Sequence, residues 1–188
     1  HLKNVPKLIR DERYYPNFGA LEAQEMDAQA RAFIEDTVWA DDGSMAALFR
    51  RPFEHGSDPE SVERVGILSL PAILAATSKP NMTSPIHRGI FVREQILCTP
   101  LPPPPPDAMV VAPDPDPNLT TRQLFEVHTA EPACAGCHAL IDPIGLGFEH
   151  FDAIGEWRDE QNGRPIDAQG KLVATTDING PFYGVDEL

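Results

Sequence analysis

The stretch Cys134-Ala135-Gly136-Cys137-His138 sets the expectations for the rest of the chain. Two thiols with two residues between them, followed at once by a histidine, are typical of covalent haem attachment. Each thiol forms a thioether with a vinyl group of the porphyrin, and the adjacent imidazole is thereby held beneath the iron. We therefore predict one haem c, bound through Cys134 and Cys137, with His138 as the proximal iron ligand.

Two other interpretations of the cysteine pair compete with haem attachment: a redox disulfide and half of a zinc site. The chain has three cysteines, and neither a second cysteine pair nor a His-x-x-x-His sequence follows to complete the tetrahedral coordination of zinc. We therefore favour haem. The third cysteine, Cys98, then has no partner within the chain, so we expect a disulfide to a cysteine elsewhere or a buried thiol. Covalent haem attachment also predicts a bacterial extracytoplasmic location, in the periplasm or at the cell surface.

The segments around the motif predict a mainly α fold, in which a helical region at 1–99 precedes a Pro-rich linker at 100–119 and a haem-binding domain at 120–188. Apolar spacing and helix caps indicate the helices. They are expected at about 21–39, 45–49, 66–76, 84–98 and 120–128. Near the C-terminus, residues 165–168 and 171–174 flank Gln169-Gly170 and suggest a short hairpin.

The Pro-rich segment begins with the run Pro102 to Pro106 and continues with Pro113, Pro115 and Pro117. Such a segment is excluded from helix and sheet interiors and favours an extended polyproline II conformation. It is either a ligand for a Pro-binding domain or a stiff strap on the protein's own surface. We favour the strap, because extracytoplasmic proteins seldom meet such domains.

The charge balance limits the partners. With 29 acidic and 15 basic residues, the chain carries a formal charge of −14, which repels nucleic acid and anionic membranes and favours a basic redox partner. No segment reaches the roughly 20 apolar residues of a membrane span. The chain lacks an initiator Met and stops at Val185 to Leu188, which is typical of the start of a helix, so we expect it to be part of a longer polypeptide with further domains or subunits.

Downstream of the motif, residues 142–145 read Asp-Pro-Ile-Gly and predict a turn. Small cytochromes c place a Pro-containing turn here, whose backbone carbonyl accepts the hydrogen bond of the proximal imidazole. Pro143 would then fix the tautomer of His138 and raise its basicity. The alternative is that Pro143 only forms a turn.

Apolar and aromatic residues after this stretch are candidates for the haem pocket. We expect Phe148, Phe151 and Ile154 to form its dry wall. Trp157 and Arg158 could bind a haem propionate through the indole N–H and the guanidinium group. Alternatively, this pair caps the core and lies at the surface.

With these motifs the chain resembles the planctomycete-type cytochrome c domain family, which occurs in large extracytoplasmic bacterial proteins. The resemblance covers about residues 66–188, and the segment between Phe49 and Val65 is shorter than the family's usual insertion. It implies covalent haem and neighbouring domains, while the family's activity is itself poorly defined. The matching stretches are Gly66-Ile67-Leu68, Ala75-Ala76-Thr77-Ser78, Thr83 to Gly89, Pro102 to Pro106, Pro132 to His138, Asp142 to Gly145 and Phe148 to Gly155.

The sequence does not decide which residue is the distal iron ligand. Many cytochromes c supply a sulfur ligand from a Met that follows the haem motif. This chain has no Met after Met109, so it cannot use that ligand. The candidates are Met82, His87, Met109, His128 and His150. We place His128 first because it is close in sequence to Cys134, Met82 second, and a five-coordinate iron third.

Three functions fit these observations. The first is a non-enzymatic electron carrier whose iron cycles between the ferrous and ferric states. The second is a peroxidase-like enzyme with a five-coordinate iron and a distal acid-base residue such as His87 or Arg88. The third is a structural haem subunit of a larger surface assembly. We favour electron transfer, because the residues around 144–151 are mainly apolar or small.

Overall fold

A computed structural model describes residues 20–38, 52–53, 64–103, 113–129 and 132–188 of the chain. It is rich in helix, with small antiparallel sheets of two strands each, which confirms the mainly α prediction. No helix within the described part of the chain combines the length and hydrophobicity that a membrane crossing requires.

Contacts group the described residues into two compact units. The first comprises the described residues up to 81 together with 151–157, and the second comprises the described residues of 82–150 together with 158–188. The predicted linker at 100–119 lies partly outside the described residues, and the division at 1–99, 100–119 and 120–188 stays a prediction.

The first unit contains helices α1 (Ala20–Val38) and α2 (Pro71–Ala76). The bounds of α1 confirm the helix predicted at about 21–39, and α1 buries Ala30 and Phe33. A 3-10 turn at Ile67–Ser69 precedes α2, and Pro71 occupies the first helical position of α2, where its missing N–H costs no hydrogen bond. Strand β1 (Pro52–Phe53) pairs antiparallel with β2 (Arg64–Val65). The helix predicted at 45–49 lies outside the described residues.

The second unit begins with helix α3 (Pro85–Ile90), which continues as a π-helical turn, Phe91–Ile96. Ser84 caps α3 by accepting a hydrogen bond from the backbone N–H of His87 at 3.3 Å. Helix α4 (Thr121–His128) starts at a complete capping box between Thr120 and Gln123. Both starts confirm those of the helices predicted at about 84–98 and 120–128.

Helix α5 (Pro132–Gly145) carries the cysteine motif, and a 3-10 turn, Leu146–Phe148, follows it. The turn predicted at 142–145 is wrong, because α5 continues through Pro143 to Gly145. Ile141 and Ile144 are 5% and 0% exposed, so continuing the helix buries two large side chains. Pro143 lies inside the helix and gives up the hydrogen bond that its own N–H would have made one turn back, and its ring crowds the carbonyl there.

Helices α3 and α5 pack closely at two glycines. A Cβ added at Gly89 on α3 would collide with the backbone carbonyl of Ile141, and one added at Gly145 on α5 would collide with the carbonyl of Pro85. Since the colliding atoms belong to the backbone, a side chain at either glycine would force the helices apart.

Two hairpins complete the second unit. Strand β3 (Glu160–Gln161) pairs with β4 (Arg164–Pro165) around Asn162-Gly163, whose φ angles of 54° and 69° are those of a type I′ turn. Strand β5 (Gln169–Leu172) pairs with β6 (Gly180–Tyr183), and the short helix α6 (Gly184–Glu187) follows.

The predicted hairpin turn at Gln169-Gly170 is therefore wrong, since both residues lie in β5. Gly170 is opposite Phe182, and a Cβ at Gly170 would collide with the Phe182 ring. This glycine makes room for an aromatic ring rather than for a turn.

Candidate functional site

Helix α5 places the three predicted attachment residues within little more than one helical turn. Cys134 and Cys137 are three residues apart and so lie on neighbouring positions of one face, and His138 is four residues after Cys134. All three residues are half-buried, and both cysteines are free thiols. Within the described part of the chain, no three His, Cys, Asp or Glu side chains come close enough to hold a metal ion.

A cavity of about 470 Å³ lies against the His138 side of α5. Its volume falls in the range of small-molecule and cofactor sites, about 300–1,000 Å³. Helix α5 contributes Ala135, His138, Ala139, Asp142 and Pro143 to the wall. Helix α4 contributes a face of residues spaced three and four apart, and the remainder comes from Leu146, Gln169, Gly170, Lys171 and Pro181. The face comprises Arg122, Phe125 and Glu126 of α4 and Thr129, which caps its C-terminus.

The imidazole of His138 is held by a carboxylate on the next turn of α5. Nδ1 of His138 lies 3.0 Å from both carboxylate oxygens of Asp142, and the two side chains are 16% and 10% exposed. With Nδ1 donating to the carboxylate, Nε2 is the nitrogen that carries a lone pair for a metal. The sequence predicts the carbonyl of Pro143 in this role, whereas the structure places the carboxylate of Asp142 at Nδ1. Pro143 lines the cavity.

Two cations line the same cavity. Arg122 is held in place because its Nε donates to the carbonyl of Asp167 at 3.0 Å and pairs with the Asp167 carboxylate at 3.3 Å. Lys171 is exposed on β5. Together they give this rim of the cavity the charge that attracts a carboxylate.

Phe148, Phe151 and Ile154 are buried, at 2%, 2% and 3% exposure. In the second unit, the carbonyl of Phe148 accepts a hydrogen bond from Arg88 at 3.1 Å. In the first unit, the ring of Phe151 meets the ring of Trp157 edge-on, with centroids 5.2 Å apart.

Arg158 belongs to a polar network around a buried carboxylate. Its Nη2 pairs with Oε2 of Glu149 at 2.8 Å, and Thr83 donates to the same oxygen at 3.0 Å. Glu149 is 2% exposed. None of Phe148, Phe151, Trp157 and Arg158 lines the cavity beside His138, and their assignment to haem stays a prediction.

The predicted distal ligands are dispersed. Met82 is half-buried, and His87 is exposed. His150 donates from Nδ1 to the carbonyl of Arg158 at 2.9 Å, and its Nε2 lies 3.3 Å from the hydroxyl of Tyr183. Met109 and the side chain of His128 lie outside the described residues. Among the described residues that line the cavity, His138 is the sole histidine and none is a methionine.

Sequence reasoning missed Asp142 as the partner of His138, and it missed Arg122 and Lys171 at the cavity. The signal for Asp142 was present, since a carboxylate four residues after a histidine meets it on a helix. Arg122 and Lys171 carry no such signal, because only the packing of α4 and β5 against α5 brings them to the cavity.

Comparison with known proteins gives one family. A family model, PSCyt3, described as a protein of unknown function (DUF1588), matches residues 64–161, which is more than half of the chain and includes all of α5. No curated protein and no solved structure matches the chain significantly.

Proposed function

The chain belongs to the PSCyt3 family, a planctomycete cytochrome c-type family, and from this premise we propose that it transfers single electrons through a covalently attached haem c outside the bacterial cytoplasm. The observation that carries the proposal is the position of Cys134, Cys137 and His138 on one helix, with His138 in the wall of a cavity of about 470 Å³.

The residues present have the chemistry that a haem c requires, although Cys134 and Cys137 are not among the residues that line the cavity. Cys134 and Cys137 are free and half-buried, so both sulfur atoms are available to form thioethers. Phe125, Leu146 and Pro143 give the cavity apolar walls, and Arg122 and Lys171 bring two cationic groups to a lining that also holds the carboxylates of Glu126 and Asp142. An apolar site with a few placed charges is the usual chemistry of a cofactor site.

Haem, when bound, supplies an iron that exchanges one electron between the ferrous and ferric states. The chain supplies the rest. Asp142 holds the His138 ring by Nδ1, so His138 would ligate the iron through Nε2, and Arg122 could bind a propionate. Phe125 and Leu146, 1% and 5% exposed, keep water away from the cavity wall, which limits reorganisation during electron exchange.

A second candidate function is ligand chemistry at a five-coordinate iron. The observation that favours it is the absence of a second histidine and of methionine among the described residues that line the cavity. Such an iron would leave one coordination position for peroxide or another small molecule.

Carbon monoxide binding to the reduced protein separates the two functions. The electron carrier predicts reversible reduction and oxidation by one electron and no carbon monoxide binding without denaturant. If His128 is the sixth ligand, His128→Ala opens the iron to carbon monoxide, whereas His87→Ala, a change of an exposed histidine, leaves it closed. Rapid stoichiometric binding to the wild-type protein would support the five-coordinate iron and contradict a pure electron carrier.

A further inference from the structure

The contact between Asp142 and His138 has a consequence for the iron. We propose that Asp142 is a positioning residue that fixes the imidazole of His138 and lowers the reduction potential of the haem. The inference rests on the proposed function, because it concerns the ligand that His138 becomes when haem is attached.

The contact is built into the helix and mostly buried. Asp142 follows His138 by one turn of α5, so the pair meets without any change of backbone. Asp142 is 7% exposed as a residue and is flanked in sequence by Ile141, which is buried. Both carboxylate oxygens are equidistant from Nδ1 at 3.0 Å. A buried hydrogen bond of this kind is electrostatically stronger than one in water.

A carboxylate acts on the imidazole more strongly than a carbonyl. Hydrogen bonds to an ionised acceptor are roughly twice as strong as neutral ones. The negative charge draws the Nδ1 proton away from the ring and makes Nε2 a better electron donor. Greater donation stabilises ferric iron over ferrous iron, and the reduction potential therefore falls.

Other charged groups face the same cavity and must be weighed against Asp142. Arg122 and Lys171 line it and favour ferrous iron, while Glu126 favours ferric iron. Arg93, which donates to the carbonyl of Leu140 at 3.3 Å, also favours ferrous iron. Asp142 is in direct hydrogen-bond contact with the ligand itself, at 3.0 Å from Nδ1, so its removal should have a large effect.

The test compares Asp142→Asn with Asp177→Asn in the haem-loaded full-length protein. Both changes remove one negative charge, but Asp177 is exposed in the loop between β5 and β6. In a spectroelectrochemical titration, Asp142→Asn should raise the ferrous-to-ferric ratio at fixed potential about tenfold, equivalent to about 59 mV for one electron. Asp177→Asn should change it far less, and Asp142→Glu should restore part of the wild-type value.

A second readout needs no variant. In wild-type protein labelled with ¹⁵N, the Nδ1 proton of His138 should be shifted strongly downfield and protected from exchange in the ferrous state, studied as the diamagnetic carbon monoxide complex if the iron is five-coordinate. An exposed, rapidly exchanging Nδ1 proton would overturn the inference even if Asp142→Asn failed to mature. So would equal potentials in Asp142→Asn, Asp177→Asn and the wild type with haem retained. Absence of haem from the wild-type protein would refute the proposed function, and the inference with it.

Discussion

At the scale of single residues, buried arginines stabilise both units, with Arg64 in the first unit and Arg88 and Arg93 in the second. Arg64, Arg88 and Arg93 are 5%, 1% and 2% exposed. Arg64 donates to the carbonyls of Ser69, at 2.9 Å, and of Gly155, and it lies over the ring of Phe151 at 5.0 Å. Burial lowers the pKa of Arg64 to about 10, and Asp152 and Glu156 partly oppose that shift. The guanidinium is therefore charged at neutral pH, and its hydrogen bonds to backbone carbonyls offset the loss of water.

Arg64→Met tests this role. We expect the free energy of unfolding to fall by about 3 kcal/mol, because two hydrogen bonds to a charged donor are lost and two carbonyls are left without it. Arg31→Met is the matched control, since Arg31 pairs with Asp27 on the exposed face of α1 with 66% of its side chain accessible. Urea unfolding followed by circular dichroism measures both variants. A loss no larger for Arg64→Met than for Arg31→Met would contradict the assignment.

At the scale of elements, the packing of α3 on α5 fixes the helix that carries the site. Arg93, on the π-helical turn after α3, donates to the carbonyls of Val173 at 2.8 Å and Ala174 at 2.9 Å, just beyond β5. The same guanidinium reaches the carbonyl of Leu140 on α5. One side chain thus links α3, α5 and the end of β5, and the glycine contacts set the spacing between the helices.

Gly145→Ala should destabilise this packing by about 1–3 kcal/mol, because the new methyl group meets the backbone of Pro85. Gly136→Ala is the control on the same helix, since nothing lies within 4 Å of its added Cβ. It should stabilise the protein by about 0.5–1 kcal/mol and leave haem content unchanged. Chemical unfolding measures the difference, and similar stabilities for the two variants would show that the helices are not in close contact at Gly145.

The elements that the sequence predicted well are those with local signals. Ser84 with Pro85, and Thr120 with Gln123, mark the starts of α3 and α4 by hydrogen bonds within one turn. Asn162-Gly163 is an equally local hairpin signal, since both residues have the positive φ that a type I′ turn requires. The end of α5 and the position of β5 depend on partners distant in sequence, Pro85 and Phe182, and no local pattern reveals them.

At the scale of the whole molecule, the site shows the same difference between features with a local sequence signal and features that depend on distant residues. The attachment residues were predictable because they are contiguous in sequence, and their chemistry requires that spacing. The walls of the cavity were not, because α4, α5, β5 and β6 contribute them together. The aromatic residues after the motif were assigned to the pocket by sequence proximity alone, and the structure gives Phe151 and Trp157 to the other unit.

The net charge of −14 predicts how electron transfer responds to salt. The reduced protein should react with a cationic oxidant, hexaammineruthenium(III), at a rate that falls as ionic strength rises, because screening removes the attraction. With anionic ferricyanide the rate should rise over the same range. Stopped-flow absorbance measures both reactions. The same salt dependence for the two oxidants would contradict an electrostatically steered, basic partner.

The most direct test of the central claim is the mass of the purified full-length protein under denaturing conditions. We expect the wild type and Cys98→Ala to retain one haem each in acidified organic solvent, because two thioethers do not dissociate. Cys134→Ala and Cys137→Ala should each retain at most a single thioether, and the double variant should retain no haem. Release of haem from the denatured wild-type protein would contradict the account.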